Sequence, residues 1–495
     1  MSKRRSLTLI AVACLFSVAL FAAPVPVRLS VESQTHVSDV SDLAMQKVEL
    51  HRSLVARESA SGIAKKLEVK LTPEEKAAAE AREDEGRLRV GIEKSVGVVV
   101  RPVRSPRFGD VAAADGSILW TGRVTASGAS GIRLHLSPFD LPESAELYVY
   151  AADGQVYGPY TGRGPVDDGE LWTNTILGDE VRLQLSVSPE DAARTRLVIA
   201  SIGYLGPGLP MAGSNLCSDN AACVENAACW NVSAVANAHD AVASILFASG
   251  GFYYICSGGL ISDANPSNLP YFLTANHCIS RSGEASSMET YFDYESGSCT
   301  SPNCTQPYNN AGDTVGSAIV ASNRTGDYTL LQLSSTPRTK DGVVTYLGWT
   351  ATAVANTNGA HLYRLSHPSG APQAYSQHDV DTSKPTCSSW PRGSWVYSRD
   401  VTGATEGGSS GSPVLNASGQ IVGQLSGGCG FNVNDVCDAS SNATVDGAFA
   451  SYYGQVSSIL GGGGPSCSAA GALCSMDSQC CSNSCKGKPG AKKCK

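Results

Sequence analysis

Between Cys14 and Cys217 the sequence has no cysteine, although the 495-residue chain carries seventeen. A disulfide framework is therefore excluded for that whole stretch, which must fold on its apolar core alone. The rest are crowded: ten between Cys217 and Cys437, and six between Cys467 and Cys494. Long apolar runs are just as scarce. "LTLIAVACLFSVALF" follows a basic "MSKRRS", and no later run approaches the roughly 20 residues that a membrane-spanning helix needs. Positive charge is lacking too. A net charge of −8 with no long basic stripe argues against a nucleic-acid partner.

The one apolar run has the shape of an export signal: a basic start, a short apolar segment, then the small residues Ala22 and Ala23. Residues 1–23 are expected to be a signal peptide, which makes the protein secreted and extracellular, with no membrane span. Cys14 follows "AVA", but the apolar run continues past it, against a lipid-attachment site. In an exported chain, cysteines in even groups read as disulfide-bonded. The cysteine-free stretch then reads as a separate module.

From about Pro24 to Ser95 the sequence is polar and charged. "LTPEEKAAAE" predicts a helix start, with Thr72 as N-cap, Pro73 at the first helical position and Glu75 closing a capping box. From about Gly97 to Gly206, short alternating segments such as "IRLHL" and "VRLQLSV" are divided by turns such as "ADG" and "GRGP", which predicts a β-sandwich. Cys217 to about Leu460 again holds many short strands and little helical periodicity, as a barrel or sandwich does. "GGGGP" opens a linker at 461–466. The tail, 467–495, runs C-x6-C-x5-C-C-x3-C-x8-C, a disulfide-rich mini-domain of the knottin kind that is too small for a core of its own.

The stretch "TEGGSSGSPV" (Thr405–Val414) reads as a loop or as the setting of a nucleophilic serine. Peptide hydrolysis through serine needs a histidine to take the hydroxyl proton, a carboxylate to hold that histidine, and N–H groups facing the oxyanion. Ser410 lies in a glycine-flanked turn. His277 ends the apolar run "YFLTANHC", and Asp327 directly precedes the apolar run "YTLLQL". Their order is His, Asp, Ser, with separations of 50 and 83 residues.

"LTANHC", "GDYTLLQL" and "GSSGSPV" resemble the His, Asp and Ser motifs of the chymotrypsin-fold serine proteases. "TEGGSSGSP", "GQLSGG" (Gly423–Gly428) and "YYGQV" (Tyr452–Val456) resemble the bacterial lysyl endopeptidase branch within them. The likeness covers about 212–460. It implies an all-β double barrel acting on protein or peptide substrates without a cofactor, with His277 as base and acid, Asp327 as its orienter and Ser410 as nucleophile. It also implies an oxyanion hole at Gly408 and Ser410, a Cys256–Cys278 bridge beside the histidine, and residues 24–211 as a pro-region. That pro-region is expected to serve as inhibitor and folding aid, released by cleavage between Met211 and Ala212.

Two features depart from the resemblance. Ser409 stands where trypsin-like zymogens carry the aspartate that pairs with the new N-terminus, so control by a pro-region is expected instead. The pocket residues implied are Ala404, Thr405, Gly428 and Ser451, all uncharged, which predicts cleavage after apolar or small residues. Glu406 lies close by and reads as structural, since lysine-specific relatives carry a glutamate there besides their pocket aspartate. Met211 would suit such an apolar pocket if maturation is autocatalytic.

No metal is expected. His361, His367 and His378 share no ligand spacing, no H-E-x-x-H occurs, and no calcium loop stands out. His239, in "NAHDAVASI", lacks the strand-then-cysteine setting of His277. Asn231, Asn303, Asn323, Asn416 and Asn442 head N-x-S/T triplets. The rival functions are a binding protein on an inactive protease fold, or a lysine-specific enzyme. In a third, the tail, with five lysines in its last ten residues, is itself the active part.

Overall fold

The computed structural model describes residues 24–31, 37–62, 65–84, 87–102, 111–112, 116–207, 209, 220–264, 267, 269–299, 312–337, 339, 343–387, 389–461, 485–486 and 493–494. Met211, Ala212 and most of the cysteine-rich tail lie outside them. The molecule is built of β-strands. Its helices are few, and among the described residues none is long and apolar enough to cross a membrane.

The cysteine-free module is the expected sandwich. One sheet is made of Lys65–Glu68, Ile118–Thr125, Glu180–Val187, Glu146–Tyr150 and Val156–Tyr160, with Val111–Ala112 on Ile118–Thr125. The other contains Gly131–Asp140, Arg196–Leu205 and Arg87–Val100. Leu134, Leu136, Ile199 and Ile202 of this second sheet meet Leu147, Val149, Leu183 and Leu185 of the first in one buried cluster. Alternation along these strands, shifted by a bulge between Ile199 and Ser201, sends the clustered side chains inward, and each such burial is worth about 1.5–3 kcal/mol.

Two barrels follow. In the first, Phe252–Leu260 pairs with Val242–Ser249 and Tyr271–Ala275, and Tyr271–Ala275 pairs with Tyr328–Leu333. Phe247, Phe272, Phe292 and Leu331 fill its interior. The second closes completely. The ring runs Ala374–Val380, His361–Ser366, Pro413–Leu415, Ile421–Gly430, Asn442–Ala448 and Trp395–Thr402, which pairs back onto Ala374–Val380. The helix Phe449–Leu460 lies across the seam between barrels, burying Tyr452, Val456 and Leu460 in a cluster that both barrels share. Described disulfides are Cys223–Cys437, Cys229–Cys299, Cys256–Cys278 and Cys387–Cys429.

The capping box at Thr72–Glu75 is formed. The helix Val37–Ser61 is not evident from the sequence, because its hold on the sandwich is largely polar. Glu58 accepts hydrogen bonds from Arg123 Nη2 (2.9 Å) and Tyr150 Oη (2.7 Å), and only Leu54 is deeply buried among its described side chains. The strand Arg28–Val31 is a second addition, pairing with Val343–Tyr346 between the barrels. Most consequential is the join between modules. The sandwich strand Arg87–Val100 pairs on its free edge with Phe252–Leu260, so one sheet runs from the sandwich into the first barrel.

Candidate active site

Register explains how His277 and Asp327 meet across 50 residues. Ala275 is paired with Tyr328 in the antiparallel ladder, so the residues just beyond each strand end face one another. His277 N–H donates to Asp327 Oδ1 at 2.8 Å, and His277 Nδ1 lies 2.8 Å from Asp327 Oδ2. Asp327 sits at φ +48°, in the left-handed region that disfavours side chains. Neighbours hold it there. Its carbonyl accepts from Asn276 N–H (3.0 Å) and from Gln424 Nε2 (3.0 Å).

The Ser410 turn is fixed by glycine and by the first barrel. Gly408 has φ +98°, and a Cβ there would lie 2.7 Å from His367 O. At Gly411, φ +83°, a Cβ would meet Thr274 Oγ1 at 2.2 Å. Ser257 clamps the turn from across the cleft. Its N–H donates to Ser410 O (2.8 Å), and its hydroxyl donates to Gly408 O (2.8 Å). Ser409 is fully buried, with its Oγ 3.1 Å from Ser366 Oγ and accepting the Glu406 N–H at 3.3 Å. Cys278, next to His277, is bonded to Cys256, which sits between Tyr254 and Ser257 on the strand Phe252–Leu260.

His277, Asp327 and Ser410 line one cleft, about 1120 Å³ in volume. Residues 212–446 match the family model "Lysyl endopeptidase, C-terminal domain", and residues 64–205 match "Lysyl endopeptidase N-terminal domain". The chain is a serine endopeptidase, similar in both regions to the lysyl endopeptidases. A lysyl endopeptidase of Pseudomonas aeruginosa is 28% identical over 356 residues, covering 68% of this chain and 73% of the relative. A secreted RxLR effector protein of Plasmopara viticola is also 28% identical, over 329 residues, covering 62% of this chain and 77% of that one. Among solved structures, the active form of a protease from M. tuberculosis matches with a TM-score of 0.32 and 16% identity, covering 51% of this chain and 90% of that one.

The four residues expected at the pocket fall at different places around the cleft. Thr405 and Gly428 line the cleft. Ala404 is buried behind it and Ser451 is elsewhere, exposed on the helix Phe449–Leu460 with its hydroxyl donating to Ala448 O (2.7 Å). Ser451 lies in the first turn of that helix, and its hydroxyl also lies 3.4 Å from Ser394 O, next to Trp395. Asp400, which no motif marks, lines the cleft beside Thr444, Trp390 and Trp395. Asp400 Oδ1 accepts from Thr444 Oγ1 (2.7 Å) and lies 2.7 Å from His378 Nδ1. Burial works against ionisation of Asp400. The charge and hydrogen bond of His378, the Thr444 hydroxyl and the Arg364 guanidinium outweigh it and hold the carboxyl below the ordinary range. Arg364 and Asp446 form a fully buried ion pair behind it.

Glu406 is tied on all sides. Oε1 accepts Ala221 N–H at 2.7 Å, while Oε2 accepts Asn220 Nδ2 at 2.6 Å and Ser369 Oγ at 3.0 Å. The other histidines are also paired or enclosed. His239 Nδ1 lies 3.1 Å from Glu295, His361 Nδ1 lies 2.7 Å from Asp379, and His367 is wholly buried. Among the described residues no three potential ligands gather around a point that would hold a metal.

Proposed function

We propose that the chain is a secreted pro-enzyme whose mature part, from Ala212, hydrolyses peptide bonds through Ser410, His277 and Asp327. The observation that carries this reading is the 2.8 Å contact of His277 Nδ1 with Asp327, opening on the cleft that holds Ser410. With Nδ1–H held by the carboxylate, Nε2 is free to take the Ser410 proton as Oγ attacks the substrate carbonyl. The N–H groups of Gly408 and Ser410 receive the oxyanion. His277 then returns the proton to the leaving amine, and water repeats the sequence on the acyl-enzyme. The Asp327 carboxylate stabilises the imidazolium that forms. Residues 24–211 are the pro-region. Its fit to the mature part supports that role: Glu289, fully buried, accepts from Thr175 N–H and Oγ1 (3.0 and 2.7 Å) and from Asn174 Nδ2 (3.0 Å), with Arg133 3.6 Å away.

Asp400 favours a second reading of specificity over the neutral slot. A side chain entering beside Trp390 and Trp395 would lay an apolar stem against the rings and bring its end toward an ionised carboxylate. That suits Lys or Arg. Unbranched Met211 fits the same slot without engaging Asp400, so self-cleavage there is expected to be slow beside cleavage after a cation. Labelling with a fluorophosphonate tests the nucleophile. Ser410 of the processed protein is the expected adduct, and equal labelling of Ser410→Ala would sink the reading.

A further inference from the structure

The sandwich does more than sit beside the endopeptidase unit. Its strand Arg87–Val100 pairs antiparallel with Phe252–Leu260, matching Ile92 to Phe252, Gly91 to Tyr253, Arg89 to Tyr254 and Leu88 to Ile255. Ile255 is followed by Cys256 of the bridge to Cys278 and then by Ser257, which clamps the Ser410 turn. Leu88 is almost wholly buried against that turn. A Cβ on Gly408 would lie 3.3 Å from Leu88 Cδ2, and one on Gly407 3.9 Å from Leu88 Cβ. Arg87 enters the cleft itself, its guanidinium 4.0 Å over the Tyr254 ring. Glu83–Asp84 pairs back onto Arg87 and Leu88, and Arg82 Nη2 donates to Ser369 O at 3.1 Å beside Glu406.

This contact is one-sided. Of the described residues that line the cleft, Arg87 alone comes from the sandwich, while the slot bordered by Trp390, Gly427, Gly428 and Asp400 receives none of it. The two sides differ in chemistry. The acyl half of a substrate lies toward the slot. The leaving amine must lie next to His277, which protonates it, and His277 is pinned by Cys278–Cys256 to the strand Phe252–Leu260. Peptide residues after the scissile bond would therefore run along the Tyr254–Ile255 edge, adding a strand to it. Arg89 and Leu88 already hold that edge.

We propose that the segment 87–92, with 82–84 paired against it, blocks only the leaving-group side, so that the unprocessed endopeptidase discriminates by substrate length and not by a distorted triad. This rests on the serine endopeptidase reading above. A tethered strand acts at millimolar effective concentration, so displacing it should slow extended substrates by about a hundredfold or more.

The test uses the full chain made resistant to maturation by Ala212→Pro, beside the processed protein. One substrate is a short peptidyl thioester ending at the scissile bond. The other is the same peptide continued by four residues. The expected result is thioester turnover within about threefold of the processed protein, with the continued peptide slowed about a hundredfold or more. Leu88→Asp should restore the continued peptide. Arg87→Glu, at the cleft surface, serves should Leu88→Asp fail to fold, and thioester turnover reports folding in both. Equal suppression of the two substrates, or suppression of neither, overturns the proposal. A processed protein inert toward both substrates overturns the endopeptidase reading itself, and this inference with it.

Discussion

The carboxylate of Glu406 accepts the backbone N–H of Ala221 at 2.7 Å, joining the segment that follows the proposed cleavage point to the Ser410 turn. Ser409 occupies the position where an N-terminal amine would find an aspartate in trypsin-like zymogens, and it is already satisfied by Ser366. Glu406 is therefore expected to order the turn without a new N-terminus. Glu406→Ala should leave Asn220 and Ala221 unpaired, destabilise the fold by about 3 kcal/mol and lower kcat more than it raises KM. Glu406→Gln, which keeps an acceptor, should recover most of the kcat. Parallel denaturant and steady-state measurements check this, and equal loss in both variants would count against it.

Removing the reacting groups has graded consequences. Ser410→Ala or His277→Ala should each lower kcat by about a millionfold, and the double variant by scarcely more, because the groups act as a unit. Asp327→Asn should cost about ten thousandfold through the wrong histidine tautomer. Additive losses in single-turnover assays would contradict a shared mechanism.

The Cys256–Cys278 bridge closes a separation of 22 residues around the histidine strand. Replacing both cysteines by serine should cost about 3 kcal/mol of stability. Because Cys278 adjoins His277, activity of the still-folded fraction should also fall. Unchanged kcat in a destabilised variant would show that the bridge holds the barrel and not the histidine.

Acid stability has a defined sign at His367. Burial lowers its pKa to about 4, against a backbone hydrogen bond to Ala371 O that works the other way. The unfolded chain takes up a proton near pH 6.5, whereas the folded one does not until about 4. Stability is therefore full above pH 6.5 and falls as pH drops toward 4, by about 3 kcal/mol from this group. His367→Gln should flatten that slope in denaturation curves taken at pH 7.5, 5.5 and 4. An unchanged slope would assign the acid sensitivity elsewhere.

Much of this architecture is legible in the sequence because it rests on local pattern. Period-two alternation marks the sandwich strands, and Thr72, Pro73 and Glu75 mark a capped helix. His277, Asp327 and Ser410 stand out because each adjoins a strand end or a glycine turn. What is hidden depends on pairing between distant segments. Asp400 reaches the cleft because Trp395–Thr402 lies between Asn442–Ala448 and Ala374–Val380, and nothing in "SRDVT" reveals those partners. Leu88 and Arg87 look like ordinary strand residues until their edge meets Phe252–Leu260. Glu406 looks structural in the sequence, and its three partners show what it holds.

The most direct measurement is a digest of a diverse peptide library by the processed protein, read by mass spectrometry, with Ser410→Ala and Asp400→Asn alongside. Cleavage after Lys or Arg is expected, abolished in Ser410→Ala and losing its preference for cations in Asp400→Asn. Cleavage confined to sites after apolar or small residues would contradict the role of Asp400 while sparing the triad. Cleavage that persists in Ser410→Ala, or none by protein shown to lack residues 24–211, would contradict the enzyme mechanism itself.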